Sequence, residues 1–111
     1  MDVQPLGLAP LTDMAVVIRS KNSGPFELTL DVIFRNGEDY LRLKAKGFFT
    51  SELIAKLYHT DPKDVFEIVY FDPAFAVKAT MRRWIPSGAL GDTDIYGAQQ
   101  HAPLLGLMVD A

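Results

Sequence analysis

Between Met14 and Phe34 the residue pattern leaves few folds open. Met14-Ala15-Val16-Val17-Ile18 is rich in β-branched residues. A polar run follows it, Arg19-Ser20-Lys21-Asn22-Ser23-Gly24-Pro25. Then Phe26, Leu28, Leu30 and Val32 alternate with Glu27, Thr29 and Asp31. Successive side chains of a strand point to opposite faces, so this alternation predicts a strand over 26–34 with one buried face. The upstream run predicts a strand over 14–19. Asn and Gly suit a turn, and the polar run between the strands reads as a loop. Strand, loop, strand holds the charged groups of that loop on a rigid frame.

The rest of the chain reads as support for this hairpin. Asn36 is placed to cap a helix, with Glu38 and Asp39 in its first turn. Tyr40 and Leu43 recur at helical spacing, Arg42, Lys44 and Lys46 gather at the end, and Gly47 is a natural stop. Phe48-Phe49 form a core anchor before Thr50, which caps a second helix with an apolar stripe of Leu53, Ile54, Leu57 and Tyr58. Asp61-Pro62 starts one further turn. Val65 to Phe71 is nearly continuous in apolar residues and predicts a central strand. Val77, Ala79 and Met81 alternate with Lys78, Thr80 and Arg82 in the next strand, and Leu104 to Val109 predicts a last one. Residues 1–12, with Pro5, Gly7 and Pro10, predict an extended arm, and 13–111 a single domain. Within it 84–103 is long and aperiodic, a kind of segment that is usually functional or ordered against something. The predicted class is α+β: a mostly antiparallel sheet with two helices on one face, a ferredoxin-like variant.

Totals narrow the function. The chain has 111 residues, 49% hydrophobic and 23% charged, which fits one globular domain. A net charge of −3 argues against a nucleic-acid backbone as partner. With no cysteine, thiol catalysis, disulfides and thiolate metal sites are excluded. The first residues lack the features of a signal peptide, and no apolar run reaches the roughly 18 residues of a membrane span. A cytoplasmic protein is the expectation.

Four groups of residues offer chemistry. Arg19, Ser20, Lys21 and Asn22, with backbone N–H groups near Gly24, suit a carboxylate or phosphate. A solvated hairpin loop explains them as well, since basic loop residues are common. Asp92, Asp94 and His101 carry metal-ligating atoms, but their spacing is loose and turn-forming Asp accounts for them better, so neither metal nor cofactor is expected. His101 has the pKa of a general base, against which stands a satisfied structural histidine. Gln99 and Gln100 add amides beside it. Lys78 and Arg82 share a strand face and would extend the basic patch of Arg19 and Lys21 if the strands lie close; charge protecting an edge strand is the alternative. No G-x-S-x-G element, P-loop or dinucleotide fingerprint is present.

Several strings together carry a likeness: Ile18 through Thr29, Phe71-Asp72-Pro73-Ala74, Pro86-Ser87-Gly88, and Gly91-Asp92-Thr93-Asp94-Ile95-Tyr96-Gly97 on through Leu104. From about Ala15 to Val109 the chain resembles a small uncharacterised bacterial and fungal family found beside, or fused behind, AtuA-like proteins. The resemblance implies a partner. AtuA-like proteins are linked to acyclic terpene and branched-acid breakdown through CoA-thioester or carboxylic-acid intermediates. Many carry a C-terminal ferredoxin-like domain that opens with a strand and an Arg-Ser-Gly-Asp-Lys-Gly turn. Arg19-Ser20-Lys21-Asn22-Ser23-Gly24 is similar in placement, but it lacks the Asp and its Lys comes earlier.

The resulting expectation is a small accessory subunit that docks on an AtuA-like protein and helps bind a carboxylate or acyl-CoA. Arg19, Ser20, Lys21 and Asn22 would hold the anion, with Asp92, Asp94, Gln99, Gln100 and His101 nearby or on the subunit interface. Two other readings stand beside it. One is a stand-alone lyase or isomerase acting on a carboxylic acid, with His101 or Lys78 as base. The other is a structural or ligand-binding homo-oligomer in which 84–103 wraps a second copy.

Overall fold

The computed structural model describes residues 8–83 and 101–110. Among these described residues, two sheets and four α-helices make up an α+β fold. In chain order the elements are β1 (Leu8–Pro10), α1 (Leu11–Met14), β2 (Ala15–Asn22), β3 (Glu27–Phe34), α2 (Gly37–Lys46), α3 (Ser51–Leu57), β4 (Val65–Phe71), β5 (Ala76–Arg82), α4 (Ala102–Leu105) and β6 (Met108–Asp110). Short 3-10 turns at Pro62–Asp64 and Asp72–Ala74 lead into β4 and β5. The main sheet has the order β2-β3-β5-β4, and β1 pairs with β6 in a separate two-stranded ribbon. Every described pairing is antiparallel.

Since β3 and β4 each run antiparallel to β5, they are parallel to each other, with β5 between them. The helical connection α2–α3 spans that gap. A split β-α-β unit of this kind also occurs in the ferredoxin plan. Here, however, the outer strand β2 reaches β3 by a hairpin and not through a second crossover helix.

One face of the main sheet carries the core. Leu28, Leu30, Val32 and Phe34 of β3, with Val77, Ala79 and Met81 of β5, are all at most 4% exposed. Against them pack Tyr40 and Leu43 of α2, Ile54 and Ala55 of α3, and Leu104 of α4, in one continuous cluster. Fully burying one such leucine contributes roughly 1.5–3 kcal/mol. The helices start where the sequence places their caps. Asn36 accepts a hydrogen bond from the Asp39 N–H at 2.9 Å, and the Thr50 hydroxyl accepts from the Leu53 N–H at 3.1 Å. Gly47 ends α2 in the left-handed region at φ 61°, which a side chain would resist. Because α2 is ten residues long and exposed at its start, Asn36→Ala is expected to lower stability by about 1 kcal/mol, read as a shifted midpoint in urea unfolding.

The structure corrects four expectations. First, Arg19, Ser20, Lys21 and Asn22 lie in strand β2, and the turn is confined to 23–26. Pairing with β3 continues through Lys21↔Thr29 and Asn22↔Leu28, so polar residues extend the strand wherever a partner can satisfy the backbone. Second, among the described strands Val65–Phe71 lies at the edge of the sheet, although its composition suggests a central one. Phe66 and Phe71 are about half exposed there, at 50% and 53%. Third, Lys78 lies on a central strand and cannot be an edge guard. Fourth, 104–109 divides into the end of α4 and the start of β6. Of the N-terminal arm, Leu8–Pro10 is the extended part described, and α1 follows at once.

Candidate functional site

The face of the main sheet opposite the core holds a groove of about 410 Å³. It is lined by Arg19 and Lys21 of β2, Asp31 and Ile33 of β3, Val69 and Phe71 of β4, Ala76 and Lys78 of β5, and Ala74 of the 3-10 turn. None of the described α-helices contributes to this lining.

Strand register explains the arrangement. Arg19 pairs with Asp31, Asp31 with Lys78, and Lys78 with Val69, forming one row across the four strands. Two residues along, Ile33, Ala76 and Phe71 form a parallel row that is wholly apolar. On the other side, Lys21 pairs with Thr29. The cations on β2 and β5 are therefore joined across β3 into one patch.

Asp31 anchors this patch. Its side chain is 6% exposed and accepts a hydrogen bond from Arg19 Nε at 3.0 Å. A carboxylate this buried requires compensation, which the guanidinium supplies. Arg19 donates to Asp31 through Nε, its side chain is 55% accessible, and its two terminal nitrogens carry further donors. Among the described residues neither Lys21 nor Lys78 is paired with a carboxylate. Three cations against one carboxylate leave the groove with a surplus of positive charge. An anion with an apolar body matches both rows.

The remaining sequence candidates are distributed differently. Alternation along β2 turns Ser20 and Asn22 to the face opposite Arg19 and Lys21. Ser20 is buried at 5%, and the Asn22 side-chain oxygen accepts from Arg83 Nη1 at 3.0 Å. His101 stands at the N-cap position of α4 with no side-chain cap bond; Leu104 of that helix joins Leu30, Val32, Phe49 and Ile54 in the core, and His101 does not line the groove. Asp92, Asp94, Gln99 and Gln100 lie outside the described residues. Arg82 leaves the patch for Asp64: its Nε is 3.1 Å from an oxygen of that buried carboxylate, whose other oxygen accepts from the Thr60 hydroxyl at 2.8 Å.

A second polar cluster ties α2 to the β4–β5 turn. The Tyr40 hydroxyl donates to Asp72 Oδ1 at 2.5 Å, and Lys44 Nζ donates to the same oxygen at 2.7 Å. Burial, and after it the bond to Asp72, pushes the Tyr40 phenol above its ordinary range. The hydrogen bonds from Lys44 and then Tyr40 hold the Asp72 carboxyl below its usual value.

Sequence reasoning missed Asp31 as a site residue. Its signal was present: an acidic residue at the middle of a strand otherwise rich in apolar residues, two positions from Thr29 on the same face. Both turn out to be buried, at 4% and 3%.

The sequence matches the family described as domain of unknown function DUF4387 over residues 11–108. The chain belongs to that family, which covers nearly all of it. No curated protein and no solved structure matches it.

Proposed function

We propose that this protein is a small accessory subunit of an AtuA-like enzyme complex and that it helps bind a carboxylate or acyl-CoA substrate. The observation carrying this reading is the groove, where Arg19, Lys21 and Lys78 stand beside an apolar row on a rigid four-stranded sheet. Its volume lies within the roughly 300–1,000 Å³ typical of small-molecule sites. The likeness to a family found beside AtuA-like proteins supplies the partner. The fold is read as a ferredoxin-like variant with a hairpin in place of one crossover, and the setting as cytoplasmic. Of the two residues named as alternative bases for a stand-alone lyase or isomerase, Lys78 lines the groove and His101 does not, so that second reading rests on Lys78.

Co-expression of the chain with an AtuA-like protein encoded next to it tests the proposal. The expected result is co-elution of the two in a fixed ratio. Recovery of this chain alone, at its monomer mass of 12.3 kDa, would overturn it.

A further inference from the structure

Resting on that reading of the groove, we propose that its ligand is a small free carboxylic acid with a compact apolar body and not the corresponding CoA thioester. Two observations carry the choice. The first is spacing. The cationic row of Arg19 and Lys78 and the apolar row of Ile33, Ala76 and Phe71 are two residues apart along the strands. At about 3.4 Å per residue that is about 7 Å, close to the length of a short-chain acid from its carboxylate oxygens to the far end of its alkyl chain. In an acyl-CoA the charged phosphates are separated from the acyl group by the whole pantetheine arm, and the thioester carbonyl carries no charge. A thioester could fill one row or the other but not both from one end.

The second observation is the state of the cations. Lys21 and Lys78 have no carboxylate partner among the described residues, whereas Arg19 has one. Asp31, buried under the groove, fixes Arg19 through Nε and orients its remaining donors. Asp31 is thus a positioning residue. The free head group of an acid would receive charge-assisted bonds from the lysines and from the terminal nitrogens of Arg19. Esterification or thioesterification removes the negative charge those bonds require.

The test is an amide-resolved NMR titration of the full chain with sodium 4-methylpentanoate, its methyl ester and its CoA thioester. The acid is expected to perturb the amides of Lys21, Ile33, Phe71 and Lys78, and the methyl ester to bind at least about ten-fold more weakly. Lys21→Met and Lys78→Met, both at exposed positions, should each weaken acid binding about ten-fold while leaving the amide spectrum of the rest of the sheet in place. Asp31→Asn should weaken the acid and leave the weak binding of the ester unchanged, a split that a merely destabilising change would not produce. Equal binding of acid and ester, tighter binding of the thioester than of the acid, or perturbations confined to another face would each overturn the inference. So would the absence of any groove shift with millimolar acid, both for the chain alone and for the co-purified complex. A complex that forms with the partner yet takes no acid would sink this inference and leave the accessory role standing. Acid binding without a complex would do the reverse.

Discussion

Tyr40→Ala is expected to remove about 3–5 kcal/mol of folding stability, a large share of the total for a domain of this size. Tyr40 is 1% exposed, and its ring lies 5.9–6.3 Å from those of Phe34, Tyr70 and Phe75. Truncation opens a cavity where α2, the end of β3 and the β4–β5 turn meet, and the small side chain cannot refill it. The hydroxyl adds a separate effect. Tyr40→Phe keeps the ring but withdraws a hydrogen bond from Asp72, at an expected cost of about 1 kcal/mol. Urea unfolding of the two variants separates the contributions. Because Tyr40 is one of two donors that hold the Asp72 carboxyl low, Tyr40→Phe should also let that carboxyl titrate closer to its ordinary range, visible by carbon-detected NMR. A group lowered in this way stabilises the fold above its ordinary pKa, and the contribution disappears as pH falls through the lowered value.

The second large effect is expected in alkali. Burial pushes the phenols of Tyr40, Tyr58 and Tyr70 above the ordinary value of 10.0, while the hydrogen bond that the Tyr70 oxygen accepts from the Phe49 N–H opposes the shift at that residue. All three phenols are held protonated in the fold after their unfolded counterparts have ionised. Above about pH 10 the unfolded chain therefore binds fewer protons than the native one, and stability falls as pH rises. Each phenol so held contributes a slope of about 1.4 kcal/mol per pH unit. The expected result is cooperative unfolding in alkali, with tyrosinate absorbance appearing together with the loss of far-ultraviolet dichroism. Gradual ionisation of all tyrosines near pH 10, ahead of unfolding, would contradict it. Tyr58→Phe should move the transition to higher pH.

How much of this was legible in the sequence depends on whether the cause was local. The caps at Asn36 and Thr50, the stop at Gly47 and the alternation of β3 are fixed by neighbours in the chain, and they stand where the pattern puts them. Strand order is not local. Composition makes 65–71 look central because apolar residues fill it, yet β5 takes the inner position by pairing on both sides. The end of β2 misled for a similar reason: Arg19-Ser20-Lys21-Asn22 has loop chemistry, and only the register with Leu28–Asp31 makes it strand.

The site divides along the same line. Arg19, Lys21 and Lys78 were legible as cations, and the structure brings them to one groove. Ser20 and Asn22, grouped with them by adjacency in sequence, go to the other face because a strand sorts neighbours by parity. An acid in the middle of an apolar strand marks Asp31 as unusual, but its partners come from the two flanking strands, which only the register supplies.

The ribbon of β1 and β6 has its own consequence. Leu8 pairs with Asp110 and Pro10 with Met108, so chain enters and leaves the fold side by side. Val109 belongs to the core, and no residue of the ribbon lines the groove. A tether attached at this doorway, whether it arrives at the first strand or departs from the last, would hold the molecule by a single handle and leave its charged palm facing outward.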